Sequence, residues 1–178
     1  IALQQLPVLM CIDRAGLNAG DGATHHGIFD VSFLSSIPGV AIYTPVTFAG
    51  LALSVKQALA EGKPAAIRYP NGGENARLIA AFYADGEPAD ISVRESDPQS
   101  TVVPAAIIVT HGRITCEALT ARATLAAEGI PVGILLCEYL RPYGKLAEEI
   151  AALNVALEDS DKELAALKAA TAKAAHGK

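Results

Sequence analysis

Five short apolar runs punctuate the chain: PVLMCI at 7–12, VAIYT at 40–44, AAIRY at 65–69, AAIIVT at 105–110 and VGILLCE at 132–138. None alternates apolar with polar positions as a strand with one wet face would, so all five are expected to be strands of parallel sheet, buried on both faces. Between them the period becomes helical. Phe48, Leu51, Val55 and Leu59 recur at helical spacing across 48–61, and Ile114, Ala118, Ala121 and Leu125 do so across 114–128. Both helices stop alike, in LAEGKPAAI at 59–67 and AAEGIPVGI at 126–134, with Gly at the stop, Pro two residues later and then a strand. This helix-to-strand cassette, used twice, predicts an α/β architecture with right-handed crossovers.

The stretch 71–101 carries the polar, Gly and Pro content of a linker or surface excursion, and a boundary between two units is expected inside it. Beyond 150 the pattern changes again. Ile150, Leu153, Leu157, Leu164, Leu167 and Thr171 follow a seven-residue repeat, interrupted by EDSD, where Ser160 and Glu163 have the spacing of a capping box. Two helices or one interrupted helix should close the chain, read as an Ala-rich amphipathic terminus rather than a coiled coil.

Composition narrows the function classes. With 178 residues, 51% of them hydrophobic, the chain can bury one medium core or two small ones. Its net charge of -5 comes from 19 acidic and 14 basic residues with no basic run, which argues against a nucleic-acid partner. Cys11, Cys116 and Cys137 lie in apolar surroundings and are odd in number, so they read as small buried hydrophobes in a reducing compartment. No apolar run reaches the roughly 20 residues that span a bilayer, and no secretory signal opens the chain, so no membrane partner and a cytoplasmic location are expected. The start at Ile1, close to a strand, reads as a fragment whose natural beginning lies upstream.

Chemistry concentrates in CIDRAGLNAGDGATHHGIFD at 11–30. Its glycines permit tight turns and close ligand approach, but neither G-x-x-x-x-G-K-[ST] nor G-x-G-x-x-G is present. Arg14 directly follows one apolar strand and Arg68 closes another, at the carboxyl ends where open α/β sheets bind ligands. Two such arginines could bind a phosphate or carboxylate, or each could pair with an internal carboxylate such as Asp13, Asp21 or Asp30. For His25 and His26 three readings stand: a metal site with Asp21 and Asp30, which matches no common spacing; a packing role; or a neutral imidazole that exchanges a proton or hydrogen bond near neutral pH. His111, ending the fourth strand, reads as a helix-entry residue, and Tyr43 and Tyr69 should pack with their hydroxyls reaching a partner.

The run DRAGLNAGDGATHHGIFDVSFLSSIPGVAIYTP, followed by AAIRYPNG, resembles the 1-deoxy-D-xylulose-5-phosphate synthases, thiamine-diphosphate enzymes of the transketolase superfamily. The likeness continues through VTHGRITCEALTARATLAAEGIPVGILLCEYLRPYGKLAEEI and covers about residues 1–150. It implies the carboxyl-terminal part of a pyrimidine-binding domain at 1–75, a linker at 76–101, an incomplete transketolase C-terminal-like domain at 102–153 and a helical tail at 154–178. The implied fold is a partial thiamine-diphosphate-binding three-layer sandwich plus a smaller α/β domain. The implied activity is condensation of pyruvate with glyceraldehyde 3-phosphate with loss of CO2, supplying isoprenoid precursors, thiamine and pyridoxal phosphate. By motif position, Arg14 and Arg68 would contact the acceptor phosphate. Asp21 and His25 would line the pocket, and His25 would hydrogen-bond a substrate oxygen and assist proton transfer.

The departures from the family are as specific as the match. The motif that holds Mg2+ and the diphosphate is absent from this chain, as is the Glu that activates the aminopyrimidine. RYPNGGEN lacks the second Arg usual after its Pro, and TPVTFAGLAL lacks the acidic residues common there. The expectation is therefore a chain inactive alone, working as a homodimer or with a complementary subunit carrying the missing domain. Two other readings remain: a beta-type subunit of another thiamine-diphosphate enzyme, or a non-catalytic α/β interaction module with a helical oligomerisation tail.

Overall fold

The computed structural model describes residues 1–18, 20–83, 86, 93–95, 104–144 and 146–155, with 158, 159, 162, 165 and 166. All five apolar runs form strands: β1 (Leu9–Ile12), β2 (Ala41–Tyr43), β3 (Ala65–Arg68), β5 (Ala106–Thr110) and β6 (Val132–Cys137). Short strands β4 (Val93–Glu95) and β7 (Tyr139–Arg141) join them. Among the described residues helices accompany the strands, α1 (Asp30–Ser35), α2 (Phe48–Glu61), α3 (Ala76–Phe82) and α4 (Thr115–Ala127), and residues 146–155 are helical as well. Two sheets result, ordered β1-β3-β2-β7 and β4-β6-β5. Each cassette is a parallel βαβ unit: β2-α2-β3 pairs Ala41 with Ala65, and β5-α4-β6 pairs Ala106 with Val132.

Glycine makes both helix stops. Gly62 ends α2 at φ 60°, and Gly129 follows α4 at φ 78°, left-handed conformations that a Cβ disfavours. After α4, Ile130 N donates to Leu125 O and Gly129 N to Ala126 O, the paired closure of a Schellman motif. At the other end of α2, Thr47 Oγ1 accepts from Gly50 N at 2.9 Å. Thr47→Ala is expected to cost about 1 kcal/mol in urea unfolding.

Alternation along the strands divides the first core into two faces. Tyr43, Ala65 and Ile67 pack against α2 through Ala58, with Leu51 and Val55 beside them. Ile42 and Ala66 face the other way, onto Leu34 of α1 and onto Cys137 and Leu140 from the end of β6 and from β7. Helix, sheet and opposing layer make the expected sandwich. A third cluster joins Leu78, Cys116, Leu119, Ile134 and Leu136 with Val46.

Three expectations change. β1 and β5 are not buried on both faces: their burial runs from half-buried to exposed, whereas β2 and β3 are buried throughout and β6 nearly so. The reason is position, since β1 and β5 are sheet edges. Cys11 on β1 is accordingly exposed, while Cys116 and Cys137 are buried, and burial pushes the Cys137 thiol up to about 11. Finally, residues 76–82, read as linker, form α3, because Asn75 caps it by accepting from Arg77 N and Leu78 is 1% exposed in the third cluster. The capping box at Ser160 and Glu163, and most of the repeat beyond Leu153, lie outside the described residues.

Candidate functional site

Where β1 ends, the chain turns through Arg14 at φ 56°, a left-handed conformation that costs free energy in any residue with a side chain. Ala15 N donates to Tyr69 O at 2.9 Å, so β1 and β3 stay bound past their last strand residues. Gly16 and Gly27 exchange two backbone hydrogen bonds of 2.9 Å, which close 16–27 into a loop. A Cβ at Gly27 would lie 2.6 Å from Arg14 O, so only Gly fits there. Asn18, 8% exposed, laces the loop together: its Nδ2 donates to Arg14 O at 2.9 Å and to His25 O at 3.1 Å.

The adjacent histidines separate. His26 Nδ1 accepts from Asn18 N at 3.0 Å, which holds its ring as part of the loop. His25 ends an exposed 3-10 turn, Ala23–His25, and its Nδ1 lies 3.0 Å from Thr24 Oγ1. Arg14 Nε reaches Asp21 Oδ2 at 3.0 Å and its Nη1 reaches Asp13 Oδ2 at 3.4 Å, with the Arg14 side chain 44% exposed. Exposure keeps that pairing weak and exchangeable, worth roughly 0–1 kcal/mol.

Arg68 is in another state. It is 6% exposed and forks onto Asp30 of α1, with Nε to Oδ2 at 2.7 Å and Nη2 to Oδ1 at 3.0 Å, while Nη2 also donates to Gly27 O at 2.9 Å. Its Nη1 is 3.5 Å from His111 Nδ1. Burial and the Arg68 charge lower the His111 pKa below 6.5, with Asp30 opposing them. Both arginines thus find internal carboxylates among those weighed from the sequence, Arg68 far more tightly.

The four residues expected at the site do not share one cavity. Arg14 lines a space of about 370 Å3 with Asp13, Thr47 and Glu74. Arg68 lines a neighbouring space of about 550 Å3, with His111 and Arg113, at the seam between the two sheets. Pro45, Pro70 and Asn71 belong to both walls. Asp21 joins Arg14 through the ion pair, and neither Asp21 nor His25 lines either cavity.

Sequence reasoning missed Glu74 and Glu138. Glu74 Oε1 accepts from Phe48 N at 2.7 Å, and Glu138 Oε1, in a fully buried residue, accepts from Val46 N at 3.1 Å. They bring hydrogen-bond acceptors to the start of α2, whose first N–H groups have no partner within the helix, from outside the TPVTFAGLAL segment that lacks acids of its own. The signal for Glu138 was present: an acid directly follows the apolar run VGILLC. On the far side of the first sheet, Tyr43 and Tyr139 stack at 4.5 Å and both hydroxyls donate to Glu61. Burial raises both phenol pKa values, and among the described residues this cluster is packing rather than site.

Residues 1–73 match the family "Transketolase, pyrimidine binding domain". The likeness to that family rests on this stretch. Over its wider length the chain is similar to 1-deoxy-D-xylulose-5-phosphate synthases. That of Magnetococcus marinus is 34% identical over 158 residues, covering 88% of this chain and 24% of the relative. That of Lawsonia intracellularis is 50% identical over 72 residues, covering 40% of this chain and 11% of the relative. The chain thus spans about a quarter or less of the synthases it matches. Among solved structures it resembles a split gene transketolase described as an inactive beta4 tetramer, with a TM-score of 0.62 and 25% identity over 80% of this chain and 43% of that one. A Pichia stipitis transketolase shares the fold, at a TM-score of 0.65 and 20% identity over 81% of this chain and 21% of that one.

The likeness to these enzymes implies thiamine diphosphate as cofactor. Among the described residues no group of three or more His, Cys, Asp or Glu is placed to hold a metal ion. Asp13 and Glu74 in one cavity and Glu117 in the other stand among arginine and asparagine side chains and do not form the carboxylate and carbonyl set a hard cation takes. The donor set does not fit Mg2+ with thiamine diphosphate. Among the described residues no helix is long and apolar enough to cross a membrane.

Proposed function

We propose that this chain forms the acceptor-substrate side of a thiamine-diphosphate-dependent 1-deoxy-D-xylulose-5-phosphate synthase, which joins pyruvate to glyceraldehyde 3-phosphate with release of CO2. The observation that carries this reading is Arg14 held in a left-handed turn at the carboxyl edge of β1, with Asp21 and His25 on the same loop. A guanidinium that is 44% exposed and paired only to exposed carboxylates can exchange them for a phosphate dianion, whose charge and fork geometry suit it better. Arg68, locked to Asp30, supports the same edge and offers Nη1 as its remaining face. Asp21 orients Arg14 in the free chain, and His25, exposed at a turn end, reaches the aldehyde oxygen and exchanges a proton with it.

The diphosphate, Mg2+ and the carboxylate that activates the pyrimidine are assigned to a polypeptide or segment other than this one. The likeness to a split gene transketolase favours a complementary subunit over a homodimer that works alone. A cytoplasmic setting accords with both substrates. The test is to mix the 178-residue chain with a separately produced synthase segment carrying the diphosphate-binding domain, and to follow CO2 release from labelled pyruvate plus glyceraldehyde 3-phosphate. Release only from the mixture supports the reading; no release from any folded pairing sinks it. In the active mixture, His25→Ala should lower kcat by about 100-fold or more while leaving the melting temperature in place.

A further inference from the structure

Two contacts join the turn after β5 to the carboxyl end of β3: Arg68 Nη1 with His111 Nδ1 at 3.5 Å, and Arg113 Nη1 with Asn71 O at 2.9 Å. A guanidinium can only donate, so the first is a hydrogen bond when the His111 Nδ1 is the accepting nitrogen of a neutral ring. A protonated His111 would set two cations 3.5 Å apart in a buried seam. The groups facing this imidazole are Arg68 of β3 and, behind it, Asp30 of α1; Arg113, Cys116 and Glu117 line the same cavity from its own side. Asp30 and Gly27 O occupy the Nε and Nη2 edges of Arg68, so His111 is what fixes the Nη1 edge that borders the cavity of about 550 Å3.

We propose that His111 is a positioning residue for Arg68: its neutral imidazole, supplied by the second sheet, orients the guanidinium edge turned to the seam cavity. Acidification breaks this contact and frees that edge. The proposal rests on the reading of Arg68 as an anion contact only for its purpose; the contact itself exists without substrate. It also makes the second unit a participant in the geometry of the first sheet's ligand edge.

The test uses the intact 178-residue chain without substrate or partner, so failure of the synthase reading leaves it unaffected. Nitrogen-resolved NMR follows solvent exchange of the Arg68 Nη1 protons between pH 7.5 and pH 5.5, in wild type, His111→Asn and His111→Leu. Asn keeps an acceptor and cannot titrate; Leu has no acceptor. In wild type, exchange referenced to an exposed arginine should accelerate about tenfold on acidification, as a charge-assisted hydrogen bond is lost. His111→Asn should match wild type at pH 7.5 and show no such acceleration, and His111→Leu should exchange fast at both pH values. Thermal melts supply the independent reading. With the folded pKa below 6.5, the unfolded chain binds the proton first, so wild-type stability falls as pH drops from 6.5 through the lowered value, and both variants lack that part of the slope. Exchange at Arg68 that ignores both pH and the Leu substitution overturns the proposal, as does a pH slope of stability identical in all three proteins.

Discussion

Asp30→Ala is expected to destabilise the chain by about 3–5 kcal/mol, read as a lowered urea midpoint at unchanged slope. The carboxylate is buried at 6% exposure opposite a guanidinium at 6%, and the two are joined by hydrogen bonds of 2.7 and 3.0 Å. Removing the acid leaves a largely buried cation with one carbonyl and one imidazole for company. The cost is that of the orphaned charge more than of the lost bond. The double variant Asp30→Leu with Arg68→Met should therefore recover most of the stability while losing any anion contact at Arg68. A loss below about 1 kcal/mol for Asp30→Ala would mean that the pair is solvated. This bears on function as well: inactivity of an Arg68 variant is informative about phosphate binding only when its folded fraction has been measured.

Glu138→Ala should rank second, at about 2–4 kcal/mol. Its side chain is fully buried and satisfies Val46 N at the entrance to α2, and its backbone oxygen accepts from Thr44 N at 2.7 Å. The substitution strands a buried amide and opens a void where the two sheets meet. Hydrogen exchange at the Val46 amide is the direct readout, with protection expected to fall about tenfold or more, whereas Glu138→Gln keeps an acceptor and should retain most of it. Unchanged Val46 protection in Glu138→Ala would show that the bond is dispensable.

The parts of the fold legible in the sequence were those written locally. Apolar runs bounded by Gly and Pro announced β1, β2, β3, β5 and β6, and Gly62 and Gly129 announced the ends of α2 and α4, because a left-handed stop needs nothing from elsewhere in the chain. Edge position depends on strand order, which no local pattern carries, so β1 and β5 read as buried when they are not. β4 and β7 have three residues each and exist through their partners Leu136 and Tyr43, which is why their own sequences are silent. The site divides in the same way. Arg14 and Arg68 were legible as charges at strand ends, and Asp21 and Asp30 as candidate counter-ions. What separated a solvent-facing Arg14 from an inward-turned Arg68 is the packing of α1, a six-residue helix. His111 meets Arg68 across 43 residues of sequence, and no spacing rule reports such a meeting.

The antiparallel strand β7 comes from beyond the second sheet yet is the last strand of the first, pairing Arg141 with Ile42 and Tyr139 with Tyr43. The polypeptide is thus stitched: it leaves the first sheet, builds the second and returns to fasten the edge it left. A protease cut between residues 83 and 104 would therefore sever the chain without releasing two bodies. The pieces would travel together on a sizing column and part only in denaturant. An expression strategy that truncates before residue 139 would remove a strand from the ligand-bearing sheet rather than trim an appendage.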